Sequence, residues 1–326
     1  MNIIAQGVLV GGLYALFAAG LSLIFGVLRL VNIAHGDLIV LAACVALVVV
    51  QATGLHPLLA LGLVVPLMMA FGHTLQRLIL NRTLGRDLLP PLLVSFGLSV
   101  ILQNGLLATF TADSRKLDGG ALETLSFQVA GISVGYLPLL MFAVAVAVIA
   151  ALQVRFYRTA LGRAFRATSD DPEVAELMGL DRDKVYGWAM ALCLGVVAIA
   201  GVFLAIRSNF DPVIGPGRLI FGFEAVIVGG LGNLWGKLAG GVILGVAQGL
   251  GAEINPGWPA LPASSRSASR PMSALVAMSC SAPPCSPGCR LWRRWRWPEW
   301  WRRWWRRWCS ACRAPVSPSA PGWWPK

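Results

Sequence analysis

Charge is scarce in this chain: only 13% of its 326 residues are Asp, Glu, Lys or Arg, while 56% are hydrophobic. A soluble domain carries roughly 25% charged residues, so water is excluded as the main solvent. Phosphate-binding chemistry is also missing. No Gly-rich loop is followed by Lys and Ser or Thr, so ATP binds elsewhere, and no Ser/His/Asp set or paired-carboxylate site stands out as an enzyme centre. The N-terminal apolar stretch lacks a basic flank and a clear small-residue cleavage site, which argues against a secretory leader and for a retained span.

Long apolar runs are what the chain has in place of charge. Met1 to Val27, Leu38 to Val65, Tyr136 to Val154 and Gly187 to Ile206 all reach the roughly 20 residues a helix needs to cross a bilayer. Lys and Arg are retained in short cytoplasmic loops, which gives the spans a direction. One such loop holds Arg77, Arg82 and Arg86, and the other, Arg155 to Tyr186, holds Arg155, Arg158, Arg163, Arg166, Arg182 and Lys184. Thr111 to Gly135 balances Arg115 and Lys116 with Asp113, Asp118 and Glu123, and is placed outside. Leu88 to Phe110 then runs outward and Tyr136 to Val154 runs back.

Asp211, Pro212 and Pro216 read as an external turn after Ile206. The next apolar pieces, Leu219 to Gly232 and Leu238 to Leu250, are separated by Gly229, Gly230, Gly232, Asn233 and Gly236, the pattern of a broken helix. Val31 to Asp37 interrupts the N-terminal half in a comparable way. Paired interruptions suggest an internal repeat, and irregular backbone at membrane depth is tolerated where it lines a cavity. The expected fold is all-α: a polytopic membrane protein of about seven to eight transmembrane or broken helices, with its core in residues 1–258.

Four ordered motifs carry a family resemblance. They are Gly7 to Leu16; Asn32-Ile33-Ala34-His35-Gly36-Asp37; Leu161 to Ala167 continuing through Asp171-Pro172-Glu173-Val174-Ala175 to Leu180; and Glu224 to Gly236 running into Gly240 to Gly245. Over Met1 to about Trp258 the chain resembles the permease subunits of branched-chain amino acid ABC importers. The resemblance implies a second related permease, two cytoplasmic ATP-binding subunits and a periplasmic substrate-binding protein as partners, in a bacterial inner membrane. It implies no cofactor, no metal, no nucleic-acid partner and no enzymatic activity of the chain itself. It supports aliphatic amino acids as cargo, although relatives import urea and other small polar solutes, and a proton-coupled carrier is the rival class.

The loop Arg155 to Tyr186 contains its own helix signal. Asp170 or Asp171 can cap, Pro172 suits the first helical position, Val174, Leu177 and Met178 recur at helical spacing, and Gly179 ends the turn. On residues alone this is either a solvated connector or a knob for a soluble partner. The resemblance implies the knob, with Arg163, Arg166, Asp171, Pro172, Ala175 and Gly179 as ATPase-coupling residues. The paired breaks, Asn32 to Asp37 and Gly229 to Gly236, are expected to face one central pathway, with Tyr14, Asn32, Ala34, His35, Gly36, Asp37, Glu224, Gly229, Gly230 and Asn233 as its candidate substrate-pathway residues. His35 and Asp37 raise a proton relay, since ionisable groups within a membrane are functional candidates. The competing reading is that His35 bonds backbone at a helix break, favoured because no second acid lies nearby in sequence. Glu224 either contacts substrate or reaches water from a span end. Gly11, Gly12, Gly26, Gly240 and Gly241 are read as close-packing positions between helices.

The net charge of +12 sits almost wholly in the tail: from Pro259 onward eleven Arg and one Lys face the single acid Glu299, leaving +1 for the first 258 residues. Ten of 13 Trp and five of seven Cys lie there as well. Trp is always TGG, and with Arg taken as CGN, Trp292 to Trp297 reread from the third base gives GCG-NCG-NTG-GCG-NTG, which encodes small and apolar residues. Continued to Cys309, the shifted frame encodes about 17 mostly apolar residues, near span length. A frameshift near Trp258 accounts for this, so residues 259–326 are expected to form no native domain. An amphipathic Trp/Arg membrane binder leaves the codon pattern unexplained. A metal site from Cys280, Cys285, Cys289, Cys309 and Cys312 has irregular spacing and no His.

Overall fold

The computed structural model describes residues 2–83, 89–129, 132–230 and 233–254. All of them belong to the first of the two units, Met1–Pro271 and Met272–Lys326, into which the chain divides. Arg86, Leu231, Gly232, the boundary at Trp258 and the 259–326 segment with its Cys and Trp residues lie outside the described residues.

The long helices are α1 (Asn2–Leu28), α2 (His35–Thr53), α3 (Pro57–Leu78) and α4 (Leu89–Phe110). A short α5 (Ala121–Thr124) and an antiparallel hairpin of β1 (Ser126–Val129) with β2 (Ile132–Gly135) follow, Ser126 lying opposite Gly135. Then come α6 (Tyr136–Arg158), α7 (Ala160–Asp170), α8 (Pro172–Leu177), α9 (Arg182–Arg207), α10 (Gly215–Gly229) and α11 (Leu234–Ile254). Helices α1, α2, α3, α4, α6 and α9 are each long and apolar enough to cross a membrane, and the pair α10 and α11, bent by 116°, makes a seventh if it counts as one broken span. The all-helical polytopic expectation holds, with the hairpin as a small addition in the loop between α4 and α6.

Leu38 to Val65 is not one span. Gly54 adopts a left-handed backbone, φ 67°, that terminates α2, its N–H bonding the Val50 carbonyl at 2.9 Å. His56 then caps α3, its Nδ1 accepting from the Leu58 N–H, with Pro57 at the first helical position. No charged residue marks this reversal; the Gly-x-His-Pro stop–start signal does.

Burial separates helices that sequence alone leaves equivalent. Of the most apolar window in each, 89% of α9 and 83% of α1 is buried, against 28% of α3 and α6 and 17% of α4. Helices apolar on every side have no preferred face, so position in the bundle decides which meet protein and which present Leu93, Phe96 and Ile101 outward.

The packing carries an internal two-fold relation. Among α1, α2, α3, α9, α10 and α11, helix α1 packs on α11, α10 and α9, while α9 packs on α3, α2 and α1, and exchanging α1 with α9, α2 with α10 and α3 with α11 returns the same pairs; the packing of α6 on α1 lies outside this relation. Both outer pairs are antiparallel. Gly7 faces Gly245 and Val246, and Gly11 faces Gly241 and Val242, across α1 and α11. Gly187 faces His73, and Gly195 faces Met69 and Val65, across α9 and α3. Small residues let these backbones approach closely where lipid offers no hydrophobic drive to associate. The repeat is therefore present with a different correspondence from the expected one. The counterpart of the Val31 to Asp37 break is the turn before Gly215, not Gly229 to Gly236.

Candidate functional site

Both breaks fold back into the bundle. His35, the first residue of α2, lies against Phe17 and Gly20, eight to eleven residues before the end of α1, so the intervening chain returns about 12–16 Å along it. Gly215, the first residue of α10, abuts Gly36 and Asp37. The turn before Gly215, read from sequence as external, thus also reaches inward, and Pro216 and Arg218 belong to α10. The two helix N-termini meet inside the protein. Their caps are alike: Ala34 and Ile214 are both helical in backbone and neither has a side-chain cap bond.

Polar groups fill this junction. Buried Asn32 turns its Oδ1 to the Ala34 N–H at 3.0 Å. Asp37, 1% exposed, accepts a hydrogen bond from Ser99 of α4, to which Gln103 donates at 3.2 Å. Ser95, one turn earlier, accepts from the Ile33 N–H at 3.3 Å. A carboxylate is well placed where two helix N-termini converge, since each presents partial positive charge and free N–H groups. His35 pairs with the Phe17 carbonyl through Nε2 at 3.3 Å and lies 4.0 Å from the Cys193 thiol through Nδ1. His35 and Asp37 therefore have separate partners.

A second group surrounds Tyr14. Its hydroxyl donates to Gln248 Oε1 at 2.6 Å, and its ring lies 5.4 Å from Phe221 and 6.3 Å from Phe17. Arg218, Arg207 and Glu224 are within charge–charge range of it. Glu224 is half-buried. Gly229, Gly230 and Asn233 lie at the far end of α10 from Gly36, a helix of 15 residues or about 21 Å away. There Gly230 takes φ 75°, the Asn233 Oδ1 accepts from the Trp235 N–H at 3.1 Å, and buried Lys237 donates to the Gly230 and Asn233 carbonyls. The two interruptions are thus not brought together.

The branched-chain amino acid transport system / permease component family matches residues 3–264. The chain belongs to that family. Among its relatives, the high-affinity branched-chain amino acid permease protein BraD of Pseudomonas aeruginosa is 29% identical over 77% of this chain and 86% of its own length. The corresponding LivH of Salmonella typhimurium is 28% identical over 75% and 83%. A probable LivH of Methanocaldococcus jannaschii is 26% identical over 76% and 80%. No solved structure matches. The chain is accordingly a multi-pass membrane permease and a transport subunit.

In this permease the basic segments gather at one end of the bundle. Asn81, in the turn after α3, donates to the Asp183 carbonyl at the start of α9, and Ser169 of α7 donates to the Gly26 carbonyl of α1 at 2.8 Å. At the opposite end Arg115 pairs with Phe210 through both backbone bonds at 2.9 Å. Helix α7 is anchored by buried Phe165, whose ring lies 5.4 Å from Phe156. Arg163 and Arg166 ride on it, and Arg166 stacks over Tyr157. Helix α8 follows with the expected boundaries. Asp171 Oδ1 accepts from the Glu173 and Val174 N–H groups at 3.0 and 3.1 Å, and Pro172 is the first helical residue. Gly179 closes it at φ 84°. Ala175 faces inward, while Leu177 and Met178 are 86% and 79% exposed. Asp181 caps α9. Its carboxyl is held below the usual range, first by the Lys184 side chain at 3.0 Å and then by the Lys184 N–H.

Sequence reasoning missed Ser95, Ser99, Gln103, Arg218, Lys237 and Gln248. Ser95, Ser99 and Gln103 recur one turn apart in a mostly apolar span, a signal that was available. Gln248 becomes a partner of Tyr14 only when α11 packs on α1, which no spacing reveals.

Proposed function

We propose that this permease is one membrane subunit of an ATP-driven importer of branched-chain amino acids in a bacterial inner membrane. It would work with a second related permease, two cytoplasmic ATP-binding subunits and a periplasmic binding protein. The observation that carries the proposal is the capped helix α8, which leaves Leu177 and Met178 exposed at the basic end of the bundle. Exposed apolar side chains on a short, doubly terminated helix suit a cleft in a soluble partner, and Arg163, Arg166, Asp171, Pro172, Ala175 and Gly179 build and hold that helix pair. Relatives named as branched-chain amino acid permeases support the cargo.

The substrate pathway we propose follows Tyr14, the Asn32–Ala34–His35–Gly36–Asp37 junction and Glu224, with Gly229, Gly230 and Asn233 as its more distant end. Separate partners for His35 and Asp37 speak for bonded junction groups over a proton relay. We further propose that residues 259–326 are out of frame; the family match ends at residue 264, a few residues beyond the proposed boundary.

Uptake by the reconstituted assembly decides the first proposal. Leucine uptake should require ATP hydrolysis and fall when Ala175→Trp or Gly179→Trp is introduced. Uptake that persisted without the ATP-binding subunits would refute the importer reading, and a ligand screen of the cognate binding protein that returned urea would replace the cargo.

A further inference from the structure

Arg218 is the one residue of the α10 first turn whose placement neither packing nor bonding explains. It is 3% exposed, its Nε is buried without a hydrogen-bond partner, and among the described residues no carboxylate lies within salt-bridge distance of it. A guanidinium inside a membrane protein is costly unless something pairs with it. Its charged surroundings are mixed: Asp211 is within charge–charge range, but so is a second guanidinium, Arg207. The Tyr14 hydroxyl, within charge–charge range of Arg218, commits its proton to Gln248. Tyr14 also lies within charge–charge range of Glu224, six residues along the same helix from Arg218, and its ring packs with those of Phe17 and Phe221. An uncompensated cation and an acid from α10, with an aromatic wall from α1 and α10, fit one class of ligand.

We propose that Arg218 receives the carboxylate of an aliphatic amino-acid zwitterion inside the permease, with Glu224 facing its ammonium group and Tyr14, Phe17 and Phe221 its side chain. The planar guanidinium offers two parallel N–H donors that match a carboxylate, which a lysine's point charge does not. This rests on the amino-acid import reading above.

The test uses the complete transporter in proteoliposomes with leucine-loaded binding protein. Because the binding protein selects first, a site within the permease shows in turnover and in coupling, not in docking. Arg218→Gln should lower leucine turnover at saturating loaded binding protein by about 30-fold or more, raise the ATP hydrolysed per leucine, and leave the half-saturating concentration of binding protein unchanged. Arg218→Lys should fall between the two. Wild-type turnover in Arg218→Gln overturns the proposal. So does failure of Arg218→Gln to assemble when Arg218→Lys transports like wild type, since that assigns the charge a packing role. A wild-type transporter that imports no leucine refutes the import reading itself, before any variant is read.

Discussion

Replacing Gly36 by alanine tests whether the meeting of two helix N-termini holds this permease together. The added methyl carbon would stand on the Gly215 carbonyl, 2.8 Å from its carbon and 3.0 Å from Leu219 Cβ. Carbon atoms pack best at about 3.5–4.0 Å, so α2 and α10 must part by roughly 0.7 Å. Overpacking of this kind costs about 1–3 kcal/mol, toward the upper end here because the obstacle is helix backbone and not a rotatable side chain. Alanine returns about 0.5–1 kcal/mol over glycine within a helix, leaving a net loss of about 1–2 kcal/mol, or about 2–8 °C in melting temperature. Gly97→Ala in α4, where nothing lies within 4 Å of the added carbon, is the control of opposite sign. Thermal melts of the detergent-purified protein read both. Gly215→Ala loads the other side of the same contact, against Asp37, so the double variant should lose less than the sum of the singles. A Gly36→Ala protein that melts at or above wild type, or strict additivity of the pair, would refute the reasoning.

Asp171→Ala removes the cap of α8 and should destabilise it by about 1 kcal/mol; co-purification of the ATP-binding subunits should drop while the bundle still melts normally, and unchanged co-purification counts against the role given to α8. Tyr14→Phe deletes the bond to Gln248 and should cost about 1 kcal/mol, read as a lower melting temperature that Gln248→Leu in the same chain does not lower further. Asp181 has a carboxyl pKa below its unfolded value, so its contribution is present above the unfolded pKa and is lost as pH falls through the folded one. Hydrogen exchange at Lys184 and Val185 should therefore speed up on acidification relative to Asp181→Asn, and protection that rises with acid would contradict the sign. Resequencing the DNA around codon 258 should reveal a frame change; an intact frame, with transport lost when residues 259–326 are deleted, would overturn the account of the tail.

Much of the architecture was legible in the sequence because membrane solvent imposes length and composition directly. The ends of α1, α4, α6 and α9 fall within a few residues of the apolar runs, and Asp171, Pro172 and Gly179 set the limits of α8 through local capping chemistry alone. The reversal at Gly54 to Pro57 was written in turn residues, though no charge interrupts the run there. The internal repeat was suggested by interruptions, yet which interruption answers which depends on long-range pairing. Gly215 meets Gly36 across nearly 180 residues, and Gly229 answers Gly236 only as its own hairpin partner. For the same reason Ser99 beside Asp37, Gln248 beside Tyr14 and the unpaired Arg218 could not be read from spacing. The sequence by itself determined that this chain lives in a bilayer, where most of its spans lie and where its exposed knob begins and ends, since those follow from local composition and backbone caps. The tertiary structure alone decided which apolar helices are central, which breaks fold inward and which polar groups face one another, because helices apolar on every side carry no record of their neighbours.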